Sequence, residues 1–99
     1  MLDFYTIKKD QPTPNYPEKA KLILIGQLDD ETFYNLQKKG IIDKSFDYYS
    51  DFRWNKEITD QIKKNISIKS LQFDDDIKKL LQIISIAEKN QQDIIAYGD

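Results

Sequence analysis

Apolar residues near the start of the chain follow two patterns, and both predict strands. Residues 2–7 (LDFYTI) alternate loosely between two faces and are rich in strand-forming side chains. Residues 21–25 (KLILI) form a short apolar run closed by Gly26, which is typical of a strand covered on both faces. We therefore expect a first strand at 2–7 and a strand at 21–25 in the centre of the sheet.

Three prolines stand between these two segments, in the stretch DQPTPNYPEK. Proline lacks a backbone N–H and restricts the residue before it, so the stretch should be extended and free of helix. We interpret it as a surface connection. The alternative is a binding arm that uses Tyr16.

A helix over residues 29–39 is predicted by signals at both of its ends. Asp29 is a suitable N-cap, and Leu28 and Phe33 occupy the two positions of a hydrophobic staple. Gly40 suits the left-handed position that follows a helix. This is the best defined local pattern in the chain.

A second helix is predicted to begin at the N-cap Asn55. It would bury Ile58, Ile62 and Ile66 and pair Asp60 with Lys64 on its exposed side.

A third helix should begin at Asp74 or Asp75 and extend to about Asn90. Its predicted buried face is wide and consists of Ile77, Leu80, Leu81, Ile83, Ile84, Ile86 and Ala87. Residues 67–73 remain open between loop and strand. The tail is expected to form a short strand at 94–97, unless the third helix continues into it.

The order of these elements lacks the strand–helix–strand repetition of parallel sheets. It predicts an α+β fold, with a small and mostly antiparallel sheet packed on one side by about three helices. The length of 99 residues, without a linker-like stretch in the middle, favours a single domain over residues 1–99.

Composition narrows the chemistry that the chain can perform. The sequence contains no histidine and no cysteine, and its formal net charge is −2. General-base catalysis most often uses histidine, and thiolate catalysis and zinc thiolate sites need cysteine, so we expect no catalytic residue, cofactor or metal ion. The scattered lysine pairs do not form the basic stripe that nucleic-acid binding requires. No secretory signal or membrane-spanning run is present, so a cytoplasmic location is expected.

Carboxylates, lysine, tyrosine and serine remain as candidates for catalysis, and among them a pair of carboxylates could act as in a glycosidase. Asp47, Asp51 and the run of residues 74–76 keep open the alternative of a small carboxylate-dependent or metal-assisted hydrolase. The aspartate run lacks the spacing of a calcium loop. Helix capping together with ion pairs to Lys78 and Lys79 explains it more simply.

The segment FDYYSDFRW, residues 46–54, holds five of the twelve aromatic residues and the only arginine. We expect Phe46, Tyr48, Phe52 and Trp54 to pack inward, and Asp47, Ser50 and Arg53 to face water. In an extended chain, adjacent tyrosines at 48 and 49 point to opposite faces, so at least one must face outward. The segment thus predicts a protein-binding surface formed by Asp47, Tyr48, Tyr49, Asp51 and Arg53.

The trio Asp47, Tyr48 and Tyr49 resembles the acidic, tyrosine-paired surface of the immunity proteins that neutralise DNase colicins. This resemblance implies a partner protein that is a basic toxin. Immunity proteins of that class are all-helical, so no further residue is carried over. The whole chain also resembles a small bacterial family with a YxDFR-type segment, to which no activity is attached.

The sequence therefore favours a non-enzymatic protein-binding module that occludes a basic partner surface, as an immunity protein or antitoxin does. In this hypothesis the two tyrosines and two aspartates bind the partner, and Arg53 fixes its orientation. Besides the hydrolase, a subunit that forms homodimers through the aromatic segment is a further alternative. The sequence does not decide between a monomer and a homodimer.

Overall fold

The computed structural model describes residues 1–70 and 73–98. Residues 71 and 72, which belong to the stretch left open between loop and strand, and the final residue 99 lie outside the described part. The strands are β1 (Leu2–Ile7), β2 (Ile23–Leu28), β3 (Phe52–Trp54) and β4 (Asp93–Tyr97). The α-helices are α1 (Asp30–Lys38), α2 (Lys56–Lys69) and α3 (Asp75–Lys89). The α+β prediction is confirmed.

Helix α1 has the predicted signals at both ends. The Asp29 carboxylate accepts a hydrogen bond of 2.8 Å from the Thr32 N–H. At the other end Gly40 has φ 75°, and the Ile41 N–H donates to the Leu36 carbonyl at 2.9 Å, which is the Schellman arrangement. This helix could be predicted because all of its signals are local.

Helix α2 begins after Asn55, whose side chain accepts from the Ile58 N–H. Ile62 and Ile66 are buried as predicted and Ile58 is only partly buried, but the ion pair on the exposed side is different. The partner of Asp60 is Lys56, at 2.8 Å, instead of Lys64. Both choices have helical i,i+4 spacing, so the sequence pattern alone did not separate them.

Helix α3 begins after its N-cap Asp74, as predicted. It buries Ile77, Leu80, Ile83, Ile84 and Ala87. Leu81 is partly buried, and the predicted burial of Ile86 is wrong, because 38% of that residue is exposed. The buried face of α3 therefore includes fewer residues than the apolar pattern predicted.

The four strands form one antiparallel sheet in the order β2-β1-β4-β3. The predicted final strand is present as β4, and every residue of β4 is buried. The predicted central position of the KLILI strand is wrong, because β2 lies at an edge and exposes Ile23 and Leu24. The C-terminal strand inserts between β1 and β3, and an apolar run does not reveal which strand takes that place.

Helices cover one face of the sheet. The main core there contains the aromatic residues that were expected to pack inward, with Trp54 fully buried and Phe46 and Phe52 partly buried against it. Their ring centroids lie 5.0 Å (Phe46 and Phe52) and 5.4 Å (Phe52 and Trp54) apart. These contacts tie β3 to the loop that precedes it.

The other face carries a smaller core of Ile7, Ile95 and Tyr97, which packs with Leu22 and Tyr5. The proline-rich segment, residues 8–22, is attached to this side of the sheet.

Within that segment, the Tyr97 hydroxyl donates to the Pro14 carbonyl at 2.8 Å. The expected absence of helix is wrong in one place, because Pro17 opens a single 3-10 turn, Pro17–Ala20. Proline is tolerated at the first position of a helix, where its missing N–H would have no partner. In the described part of the chain, no helix is long and apolar enough to cross a membrane.

Candidate functional site

The aromatic segment is extended only over β3, and the residues before it form turns. A tight turn spans residues 47–50, in which the Ser50 N–H donates to the Asp47 carbonyl at 3.1 Å. The Asp47 carboxylate accepts from the Tyr49 N–H at 3.0 Å and from the Ser50 hydroxyl at 3.1 Å. The extended conformation assumed for the two tyrosines is therefore wrong, because the aspartate side chain stabilises a turn instead.

Gly98, which follows β4, packs against this turn. The Gly98 N–H donates to the Asp51 carboxylate at 3.1 Å. A Cβ atom added to Gly98 would lie only 2.5 Å from the Tyr49 carbonyl carbon and 2.7 Å from the Tyr48 carbonyl oxygen. The backbones of the turn and of residue 98 are thus in direct contact, which fixes the turn against the end of β4.

The two tyrosines of the turn have different environments. Tyr48 is 6% exposed and packs on Phe33 of α1, with ring centroids 5.7 Å apart. Tyr49 is 59% exposed, and its ring meets the Tyr48 ring edge-on at 5.0 Å. One tyrosine thus belongs to the core, and the other is presented to solvent on top of it.

A third tyrosine, which the sequence did not point to, completes the site. Tyr34 of α1 is 41% exposed, and its ring centroid lies 6.0 Å from that of Tyr48. Burial and the negative charges of Asp47 and Asp30, together with neighbouring Tyr49, raise the pKa of Tyr34. We call Tyr34, Tyr49, Asp30 and Asp47 the acidic tyrosine surface, whereas the carboxylate of the predicted site residue Asp51 is bonded to the Gly98 N–H. The only sequence signal for Tyr34 was its place beside the buried staple residue Phe33.

Arg53 was expected to face water, but only 22% of its side chain is exposed. All its N–H donors are used inside the chain. Nε donates to the buried Asp93 carboxylate at 3.1 Å, and the other nitrogens reach the proline-rich segment, with acceptors Lys8 O (3.0 Å), Lys9 O (3.3 Å), Gln11 O (2.7 Å) and Thr13 Oγ1 (3.1 Å). The guanidinium group therefore fastens that segment to the sheet, and the role of Arg53 in orienting a partner stays a prediction.

The aspartate run at the start of α3 is used for capping and ion pairing. Asp74 accepts from the backbone N–H groups of residues 76 and 77. Its ion-pair partner is Lys39, at 2.6 Å, and Lys39 also lies 3.5 Å from Asp76. This corrects the predicted pairing with Lys78 and Lys79. The hydrogen bond from Lys39 lowers the pKa of Asp74, and the same bond raises the pKa of Lys39. Among residues 1–70 and 73–98, no group of three or more side chains has the arrangement of a metal site.

An open groove of about 660 Å³ lies between the loop after α1 and helix α2. None of the predicted site residues lines it. Its amide side chains bond to the chain itself: Gln37 donates to the carbonyls of residues 43 and 46, and Asn65 donates to the Ile41 carbonyl. These amides stabilise the loop, and the acidic tyrosine surface remains the strongest candidate site.

No protein-family model, curated protein or solved structure shows significant similarity to this chain.

Proposed function

We propose that this chain is a cytoplasmic protein-binding module of the immunity or antitoxin type, which covers a basic surface of a partner protein with its acidic tyrosine surface. The observation that carries the proposal is the presentation of Tyr49. Its ring is largely exposed, yet it stands on a buried tyrosine and on a turn whose backbone contacts residue 98. An exposed aromatic ring without a binding role does not require contacts of this kind to hold it in place.

Rigid presentation favours binding because a side chain that is already ordered loses less conformational entropy when a partner arrives. The turn at residues 47–50 is closed by hydrogen bonds from both the backbone and the Asp47 side chain. Tyrosine also supplies a large contact area with few rotatable bonds, and it is enriched among the residues that dominate interface energetics.

Charge favours a basic partner. Residues 43–51 contain three aspartates and one lysine, a formal sum of −2. Asp30 at the start of α1 adds a further negative charge beside Tyr34. An acidic rim around exposed rings steers a positively charged surface toward the rings and disfavours acidic proteins.

The proposal is tested by affinity capture from the native host followed by reconstitution with the purified captured protein. Three baits are compared: the wild type, Tyr34→Ala/Tyr49→Ala, and the matched control Tyr16→Ala, which removes a tyrosine of similar exposure (54%) from the proline-rich segment. We expect a basic protein to be retained by the wild type and the control and lost from the double variant. Addition of the wild type should then suppress the toxicity or activity of that protein.

Equal retention by the double variant would place the binding surface elsewhere. Retention of acidic proteins only, or no specific retention by the wild type, would contradict the proposed partner chemistry.

A further inference from the structure

The proline-rich segment, residues 8–22, lies over the face of the sheet that the helices leave free. It starts at the end of β1, contacts Arg53 of β3, and returns to the start of β2 at the opposite edge. Every residue of the segment is at least partly exposed. On the sheet face that it covers, Ile7 and Ile95 are only 1% and 0% exposed. The segment therefore covers apolar residues of the sheet without burying any of its own side chains completely.

Few contacts attach this segment to the rest of the chain. Outside the strands, its backbone hydrogen bonds join residues of the segment to each other. Among the described residues, its hydrogen bonds to the sheet come from two side chains. Arg53 donates four of them, to acceptors on residues between 8 and 13, and Tyr97 donates one, to the Pro14 carbonyl. The attachment thus depends on a few polar contacts that can break together.

The two ends of the segment are also loosely packed and conformationally costly. A pocket of about 180 Å³ lies between them, and Ile7, Gln11 and Ala20 contribute to its lining. At the end next to β2, Lys21 has φ 54°. The left-handed conformation costs free energy in a residue that has a Cβ atom. Movement of the segment relieves this cost, because residues at the ends of elements absorb the change in backbone angles.

We propose that residues 8–22 open as one unit while the sheet and the helices stay folded, and that Arg53 is the latch that holds them closed. Segments with few buried apolar contacts and exposed backbone hydrogen bonds open at a lower free energy than the core of a domain. The core beneath the helices contains most of the fully buried side chains and does not depend on this segment. Opening exposes Ile7, Ile95 and the ring of Tyr97 to solvent.

Arg53 suits the role of a latch because its side chain is fixed to the sheet. Its Nε and Nη2 atoms lie 3.1 Å and 3.0 Å from the carboxylate of Asp93, whose side chain is 8% exposed. This ion pair joins β3 to β4 and does not involve the segment, so it persists when the segment leaves. The guanidinium group then keeps the orientation in which it receives the carbonyl oxygens of the returning segment.

The opening goes beyond the proposed binding of a partner. The turn at residues 47–50 contacts α1 and residue 98, whereas the segment contacts Arg53 and Tyr97. Tyr34→Ala/Tyr49→Ala should therefore leave the opening unchanged, whether or not a partner binds the acidic tyrosine surface.

The chain contains no cysteine, so a single introduced thiol can report the opening. Ile95→Cys places the thiol beneath the segment, and the matched control Ile84→Cys places it in the core beneath the helices, since both isoleucines are 0% exposed. The rate of reaction with a thiol reagent measures how often each position becomes accessible. We expect Ile95→Cys to react at least about 100-fold faster, because opening exposes it and only unfolding of the domain exposes the control position.

The urea dependence shows which of the two events exposes each thiol. Low urea concentrations should leave the reaction of Ile95→Cys nearly unchanged and should accelerate that of Ile84→Cys, because the effect of urea scales with the surface that is exposed. Ile7→Cys, in the same small core, tests the opening from a second position and should behave like Ile95→Cys. Equal reaction rates for Ile95→Cys and Ile84→Cys, or an equally steep urea dependence, would overturn the proposal.

The latch is tested by adding Arg53→Ala to Ile95→Cys. The reaction should become about 10-fold faster without acquiring a steep urea dependence, since hydrogen bonds from a charged donor to the segment are lost. The matched control Lys63→Ala removes the exposed ion pair with Glu88 and should leave the rate unchanged. An unchanged rate with Arg53→Ala would show that Arg53 does not hold the segment closed.

Discussion

The two edges of the sheet are covered very differently. Strand β3 has three residues and is surrounded by aromatic side chains, and Arg53 links it to a segment 42 residues earlier in the chain. Strand β2 has six residues and exposes Ile23 and Leu24. The comparison shows that the apolar character of a strand does not determine whether other side chains cover it, because residues remote in sequence contribute to that cover.

The largest difference in stability between the two edges is expected when an aromatic ring beside β3 is removed. Tyr48→Ala should lower the free energy of unfolding by about 3 kcal/mol, since the ring is almost fully buried against Phe33. On the open edge, Leu24→Ala should change it by less than about 0.5 kcal/mol at low protein concentration. Urea denaturation measures both. Similar losses for the two variants would mean that the edges are equally covered.

Removing the arginine that links β3 to the proline-rich segment should have the next largest effect. Arg53→Ala leaves the buried Asp93 carboxylate without its ion-pair partner and should lower stability by about 2 kcal/mol, below the range for fully buried pairs because Arg53 is partly exposed. Arg53→Lys should recover only part of this, since an ammonium group cannot reproduce the guanidinium fork. Full recovery by lysine would show that charge alone matters.

Gly98 and Gly26 provide a matched comparison, because Gly98 contacts the turn that leads into β3 and Gly26 lies in β2. Gly98→Ala should cost about 1 to 3 kcal/mol because the new Cβ meets the rigid backbone of residues 48–50. Gly26→Ala should also be destabilising but should cost less, because its Cβ meets a side chain, that of buried Ile83, instead of backbone. Thermal unfolding measures both. A larger loss of stability for Gly26→Ala would mean that the contact between α3 and β2 is more rigid than the contact between residue 98 and the turn at residues 47–50.

The smallest expected effect is a loss of stability at alkaline pH. Burial, followed by the charge of Asp51, raises the pKa of Tyr97, whose hydroxyl donates to the Pro14 carbonyl. A raised pKa means that the folded state holds this proton more tightly. Its stabilising contribution is therefore complete below the ordinary tyrosine pKa of about 10 and is lost as the pH rises through the folded-state value.

Unfolding measured at pH values above about 9 should show this decline, and Tyr97→Phe should decline less steeply. Chemical shifts of residues 11–14 should move in the same range, while those of Ile23–Gly26 should not. An identical decline in Tyr97→Phe would show that Tyr97 does not fasten the segment.

Elements with local signals could be predicted from the sequence. The caps Asp29, Asn55 and Asp74 define where the three helices begin, and each contacts backbone groups within three residues. The strands at both ends of the chain were also recognisable. Sheet order was not, because the insertion of β4 between β1 and β3 depends on contacts about 90 residues apart in sequence.

The candidate site was predictable only in part, for the same reason. The acidic tyrosine segment is visible in the sequence, and Tyr49 does face solvent. Tyr34 joins it only because α1 packs beside the turn, and the predicted exposure of Arg53 was wrong because its acceptors lie about 40 residues away in the sequence, both before and after it. Neither contact leaves a local pattern.

The most direct test of the central claim is the affinity of the reconstituted basic partner for the wild type and for Tyr34→Ala/Tyr49→Ala, measured by titration calorimetry. With two exposed tyrosines as the main contacts, we expect the dissociation constant to increase by about 100-fold or more. Tyr16→Ala should leave it unchanged. An unchanged dissociation constant in the double variant would contradict the assignment of the acidic tyrosine surface as the binding site.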